Sequence, residues 1–171
     1  ALAKLDCDVK WLYPENSDSI CSCIVTAEML ENKLQNLSYK PFAVYITSPD
    51  YLGRMSDIES LAKVCKAYDI PLLADNAHGS YLKFCQQDMH PISLGADMCC
   101  DSAHKTLPVV TGGAYLHVSK SCKYNFAPFV KEENTGIFFT KARRKITKTN
   151  TGIIHSEMLF MAFSPVQKFC A

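Results

Sequence analysis

Apolar residues recur along the chain in two alternating rhythms. Short, nearly continuous apolar runs predict buried strands: "DVKWLY" at 8–13, "FAVYIT" at 42–47, "PLLADNA" at 71–77, "ADMCCDS" at 96–102 and "GAYLHVS" at 113–119. Pro41 and Pro49 bound the second of these, where neither proline interrupts a ladder. Between the strands lie helical patterns. In "TAEMLENKLQNL" (26–37), Thr26 stands at the N-cap, and Leu30, Leu34 and Leu37 fall at i, i+4 and i+7. In "SDIESLAKVCKAYD" (56–69), Ser56 and Glu59 form a capping-box pattern ahead of an apolar face of Ile58, Leu61, Ala62, Cys65 and Tyr68. "SEMLFMAFS" (156–164) also reads as helical.

Alternating strands and helices, with strands apolar on both faces, predict an α/β fold with a mostly parallel sheet in three α/β/α layers. The chain has 171 residues, enough for one domain with a core. A net charge of +1 gives no global field that would favour nucleic acid or a membrane surface. No apolar run reaches the roughly 18 residues of a membrane span. Lys4, Asp6, Asp8 and Lys10 interrupt the apolar core that a signal peptide needs.

The nine cysteines include no C-x-x-C pair, and several sit inside apolar periodic segments. Reduced thiols in a cytoplasmic protein are the reading that fits, with no metal site expected. The basic run of Lys141, Arg143, Arg144, Lys145 and Lys148 reads as a solvated face, with an anion site as the alternative.

Ligands collect where parallel strands end, and three predicted strand ends carry unusual chemistry, the first being the turn "TSPDYLG" (47–53) with Pro49 and Gly53. In "ADNAHGS" (74–80), Asp75 closes an apolar strand and His78 opens the turn. A carboxylate there is costly unless a cation or donor meets it. In "CCDSAHKTLPVV" (99–110), Ser102, His104 and Lys105 arrive within four residues, and Pro108 stops a helix. Taken alone, Asp75 reads equally as a helix cap, His78 as a satisfied polar group and Lys105 as a surface charge. Asp75 and Lys105 are 30 positions apart, about one β–α–β step. Adjacent strands would therefore put both into one crevice. A carboxylate for a ring nitrogen and a lysine for a Schiff base are what pyridoxal 5'-phosphate (PLP) requires. A lysine partly desolvated among cationic donors also becomes a better nucleophile.

"VYITSPDYLGRMSDI", "IPLLADNAHGSYLKF" and "GADMCCDSAHKTLPVVTGGAYLHV" together resemble the Orn/Lys/Arg decarboxylases, PLP enzymes of fold type I. The pairing of D-x-A-H-G with S-x-H-K-T-L-P about 30 residues later carries the resemblance, which runs from near residue 1 to about 120. It implies the fold of a PLP-dependent transferase large domain. It implies that Lys105 forms the Schiff base, that Asp75 pairs with the pyridinium nitrogen and that Ala77 packs beside the ring. It also implies that His78 lies at the cofactor as a second catalytic group. Ser102 and His104 would contact the cofactor or its phosphate, and Ser48 and Tyr51 would line the pocket.

The implied reaction is decarboxylation of lysine, ornithine or arginine to an amine, in a homo-oligomer whose only other partner is the amino acid. The alternatives are another fold-type-I reaction (an aminotransferase or lyase) and a non-catalytic relic. Asn76 departs from the pattern, standing where many members carry Glu. The family's phosphate loop and its C-terminal domain also lack counterparts in residues 1–171, so the resemblance implies the central part of the PLP-binding domain. "TNTGIIHSEMLFMAF" only roughly resembles a family segment that can reach a neighbouring subunit's cofactor.

Overall fold

The structure is a computed structural model that describes residues 8–14, 24–124 and the backbone of 157–161. Its strands are β1 (Asp8–Leu12), β2 (Ala43–Thr47), β3 (Leu72–Asp75), β4 (Met98–Asp101), β5 (Tyr115–Val118) and β6 (Glu157–Met161). Its helices are α1 (Ala27–Gln35), α2 (Ile58–Ala67) and the short α3 (Ala103–Thr106), with a 3-10 turn at Ser80–Phe84.

The strands form one sheet in the order β1-β6-β2-β3-β4-β5. All neighbours are parallel except β4 and β5, which pair antiparallel. The expected mostly parallel α/β architecture is therefore present, with a mixed edge. The expected helix at 156–164 is instead a strand over Glu157–Met161. It pairs with β1 on one side and β2 on the other. Its five residues "EMLFM" are too short a run for periodicity to separate a helix from a buried strand. A place between two parallel neighbours satisfies its backbone groups on both edges. The basic run at 141–148 lies outside the described residues.

Thr26 caps α1 as its sequence predicts, its hydroxyl accepting the Met29 amide at 3.2 Å, and Leu30 and Leu34 are buried. The cap of α2 differs from the expected capping box. Asp57 is the N-cap and accepts both the Ser60 amide at 3.0 Å and the Ser60 hydroxyl at 2.6 Å. A carboxylate also favours the positive end of a helix. The Ser56 amide is engaged elsewhere, donating to Ser48 Oγ at 3.0 Å. Asp57→Ala should therefore destabilise the chain by about 1 kcal/mol, whereas Ser56→Ala should have a smaller effect. Paired thermal melts of the two variants check this.

One apolar cluster joins the helices to the sheet. Leu30 and Leu34 of α1 and Ile58, Leu61 and Cys65 of α2 pack with Val44, Ile46, Leu72, Ala74 and Cys99. Burying each of the larger aliphatic side chains is worth about 1.5–3 kcal/mol. Those strand residues alternate, so they share one sheet face. Tyr45, Thr47, Leu73 and Asp75 consequently face the other way. Among the described residues, α1 and α2 both pack against the core face, giving two of the three expected layers. Because β2, β3 and β4 are parallel, Thr47, Asp75 and Asp101 all end strands along one edge of the sheet.

Candidate active site

That edge brings together three loops. Register pairs Thr47 with Asp75, and Asp75 with Cys100. Backbone bonds extend the ladder beyond the strands: Ser48 N donates to Asp75 O at 3.0 Å, and Asn76 N to Cys100 O at 2.9 Å. The loops that follow β2, β3 and β4 are thus held side by side.

Asp75 is half-buried on the face away from the core. Its Oδ2 accepts the Tyr45 hydroxyl at 2.9 Å, and its Oδ1 accepts the Ala77 amide at 3.1 Å. Burial and the neighbouring Asp75 charge raise the Tyr45 pKa far above its ordinary value, so Tyr45 remains a donor. Lys105 lies in α3 and is exposed. Its Nζ stands 3.3 Å from His78 Nε2. Burial, and then the Lys105 charge, push the His78 pKa down, against smaller opposing effects of Asp75 and Asp50. A neutral imidazole at that distance accepts from Lys105 through Nε2, which leaves the proton on Nδ1. Tyr51 meets the His78 ring edge-on, with centroids 5.7 Å apart.

The structure thus brings Lys105 against His78 and Asp75 against the Ala77 amide, with Tyr51 at the His78 ring. The other expected residues flank these on the same loops. His104 Nδ1 lies 2.9 Å from the Gly113 carbonyl, so its N–H is committed to the turn ahead of β5. Ser102 stands at the head of α3 and makes no side-chain cap bond. Ser48 is buried and accepts the Ser56 amide, closing the loop ahead of α2.

The residue types fit PLP. His78 Nδ1, three residues after Asp75, is a buried polar atom with no hydrogen-bond partner. Unpartnered buried donors are uncommon and mark places where a polar group is awaited. Asp75 offers the carboxylate for a ring nitrogen, Ala77 the small neighbour and Lys105 the amine. The described cysteines 65, 85, 99, 100 and 122 are all free thiols. No helix among the described residues is long and apolar enough to cross a membrane.

A profile of the Orn/Lys/Arg decarboxylase major domain matches residues 11–138. The chain belongs to this family. Among its relatives is the arginine decarboxylase of Bacillus cereus, 34% identical over 76 residues, which cover 44% of the chain and 16% of that protein. Another is the uncharacterized protein YaaO of Bacillus subtilis, 41% identical over 83 residues, covering 47% of the chain and 17% of that protein. The matched part thus spans less than a fifth of the length of either relative. The crystal structure of mouse CSAD superposes with a TM-score of 0.50 at 22% identity, over 58% of this chain and 23% of that one. That likeness shows the fold alone, an α/β domain with a mostly parallel sheet, in part.

Sequence reasoning missed Tyr45 as the partner of Asp75. The signal was present: Tyr45 is the one aromatic, hydroxyl-bearing residue inside "AVYIT", two positions before Thr47 on the same face.

Proposed function

We propose that this chain supplies the Asp75–His78–Lys105 part of a PLP-dependent decarboxylase acting on lysine, ornithine or arginine. The observation that carries the reading is the convergence of Lys105 and Asp75 on His78. Both charges act on its imidazole, and Lys105 Nζ touches Nε2.

PLP, when bound, would supply an electron sink for the pair released from the substrate's α-carbon. Lys105 offers the primary amine that would hold the cofactor through its aldehyde. Asp75, held between Tyr45 and the Ala77 amide, is oriented to keep a ring nitrogen protonated. His78 stands where it accepts or returns a proton at Lys105 Nζ, and its lowered pKa keeps it neutral and ready for that role. Ala77 leaves room for a flat ring.

Titrating the chain with PLP tests the reading. A saturable visible absorbance band is expected. Asp75→Ala should weaken binding roughly tenfold or more, the equivalent of the about 1.5–3 kcal/mol typical of a hydrogen bond to a charged group. Carbon dioxide release from one of the three basic amino acids would identify the reaction as decarboxylation. A band without carbon dioxide, but with amino transfer or elimination, would reassign the chemistry. Absence of any band at saturating PLP would overturn the cofactor reading.

A further inference from the structure

The core face of the sheet carries a second polar cluster behind Asp75. Asp101 ends β4 on the same face as Cys99, and its side chain is 4% exposed. Its oxygens are fully engaged. Oδ1 accepts Asn76 Nδ2 at 2.7 Å, and Oδ2 lies 3.2 Å from His90 Nε2 and 3.1 Å from His117 Nε2. Burial alone would raise the Asp101 pKa. The hydrogen bonds of His117, His90 and Asn76 outweigh burial and hold it below the ordinary carboxylate range. Asp101 is therefore a buried anion that its neighbours keep charged.

The donor atoms of His90, Asp101 and His117 all lie within 4.8 Å of one another, a spacing that would also suit a cation. The His90 tautomer argues for hydrogen bonding instead. The Ile92 amide donates to His90 Nδ1 at 3.3 Å, so Nε2 carries the proton that goes to Asp101. A metal on Nε2 would require the opposite tautomer.

The consequence lies in where the partners sit along the chain. Asn76 directly follows Asp75, and Asp101 stands four residues before Lys105. The Asn76–Asp101 bond therefore ties the end of β3 to the turn that presents Lys105. We propose that Asp101 is a positioning residue, which through Asn76 holds the Lys105 amine against His78. The segment between them leaves little slack: Ala103 is fully buried, and the Lys105 amide donates to Ser102 O at 3.0 Å.

The inference concerns the site proposed above, but its test needs no cofactor. The His78 imidazole is titrated by NMR in the full chain. Charged groups acting on it are Lys105, Asp75 and Asp50. In Asp101→Asn the Lys105 ammonium should drift from His78, and the His78 pKa should rise toward its ordinary value. Lys105→Met should produce the same rise. Loss of the Asp101 charge by itself would push the His78 pKa the other way, so a rise reports movement of Lys105. Asn76→Ala breaks the link while leaving Asp101 with both histidines, and should give the rise as well. It also serves if Asp101→Asn fails to fold.

Leu34→Ala in the last turn of α1 should lower stability without moving the His78 titration. An unchanged or lowered His78 pKa in Asn76→Ala would overturn the proposal. Stoichiometric zinc uptake abolished by Asp101→Asn would overturn the hydrogen-bond assignment. A chain that binds no PLP would contradict the proposed function and leave this measurement intact.

Discussion

Lys105→Ala is expected to abolish covalent retention of PLP while leaving the fold intact. The side chain is exposed, and its one described contact is the 3.3 Å approach to His78 Nε2. Surface truncations of this kind usually change stability by no more than about 0.5 kcal/mol. The amine's described neighbour His78 is no substitute, because a neutral imidazole does not form a stable linkage to an aldehyde carbon. Loss of the visible band with an unchanged thermal midpoint is the expected pair of results. His78 should also titrate higher in this variant, because the second-largest cause of its lowered pKa has been removed. Retention of the band would mean that another amine holds the cofactor and that the turn carrying Lys105 is structural.

Gly79→Ala should be the most damaging single methyl addition at the site. A Cβ there would lie 2.0 Å from Asn76 Oδ1, 2.6 Å from Pro49 Cδ and 2.7 Å from Leu82 Cδ1. None of these neighbours yields easily. Asn76 is fully buried and bonded to Asp101, and the Pro49 ring is itself fully buried. Overpacking of this kind costs about 1–3 kcal/mol and sometimes more. The upper end applies here, because relief would break the Asn76–Asp101 bond. A loss of about 3 kcal/mol corresponds to a fall in Tm of roughly 6–12 °C for a chain of this size. A melt unchanged within about 1 °C would show that the loop after β3 repacks freely. Gly53 provides the contrast: it has a φ of +82° but no neighbour within 4 Å, so its substitution would be strained by backbone geometry and not by crowding.

That Asp75 and Lys105 follow neighbouring strand ends was legible, because Asp75 closes one apolar strand, Lys105 comes four residues after the end of the next, and parallel strands put their carboxyl ends on one edge. Helix α1 was legible down to its cap, since Thr26 precedes a clean i, i+4 pattern. Other features needed three dimensions. "EMLFM" is compatible with either regular structure, and its place between β1 and β2 depends on neighbours more than a hundred residues away. Ser56 and Asp57 are adjacent capping residues, and the choice between them was settled by the Ser48 hydroxyl that captures the Ser56 amide. The bond of His104 Nδ1 to the Gly113 carbonyl was not legible either, since it joins residues nine positions apart across a turn. Asp101 was hidden for a related reason. It follows two cysteines in an apolar run, and only the strand's alternation, fixed by the burial of Cys99, shows which face its carboxylate enters.

The account stands on Lys105 as the amine that receives the cofactor, within the setting built by Asp75 and His78. Borohydride reduction of the PLP-saturated chain, followed by peptide mapping, tests this most directly. The account predicts a stoichiometric phosphopyridoxyl label on Lys105 alone, absent after Lys105→Ala. A label spread over exposed lysines such as Lys40, Lys63 and Lys83, or one that survives Lys105→Ala, would contradict it.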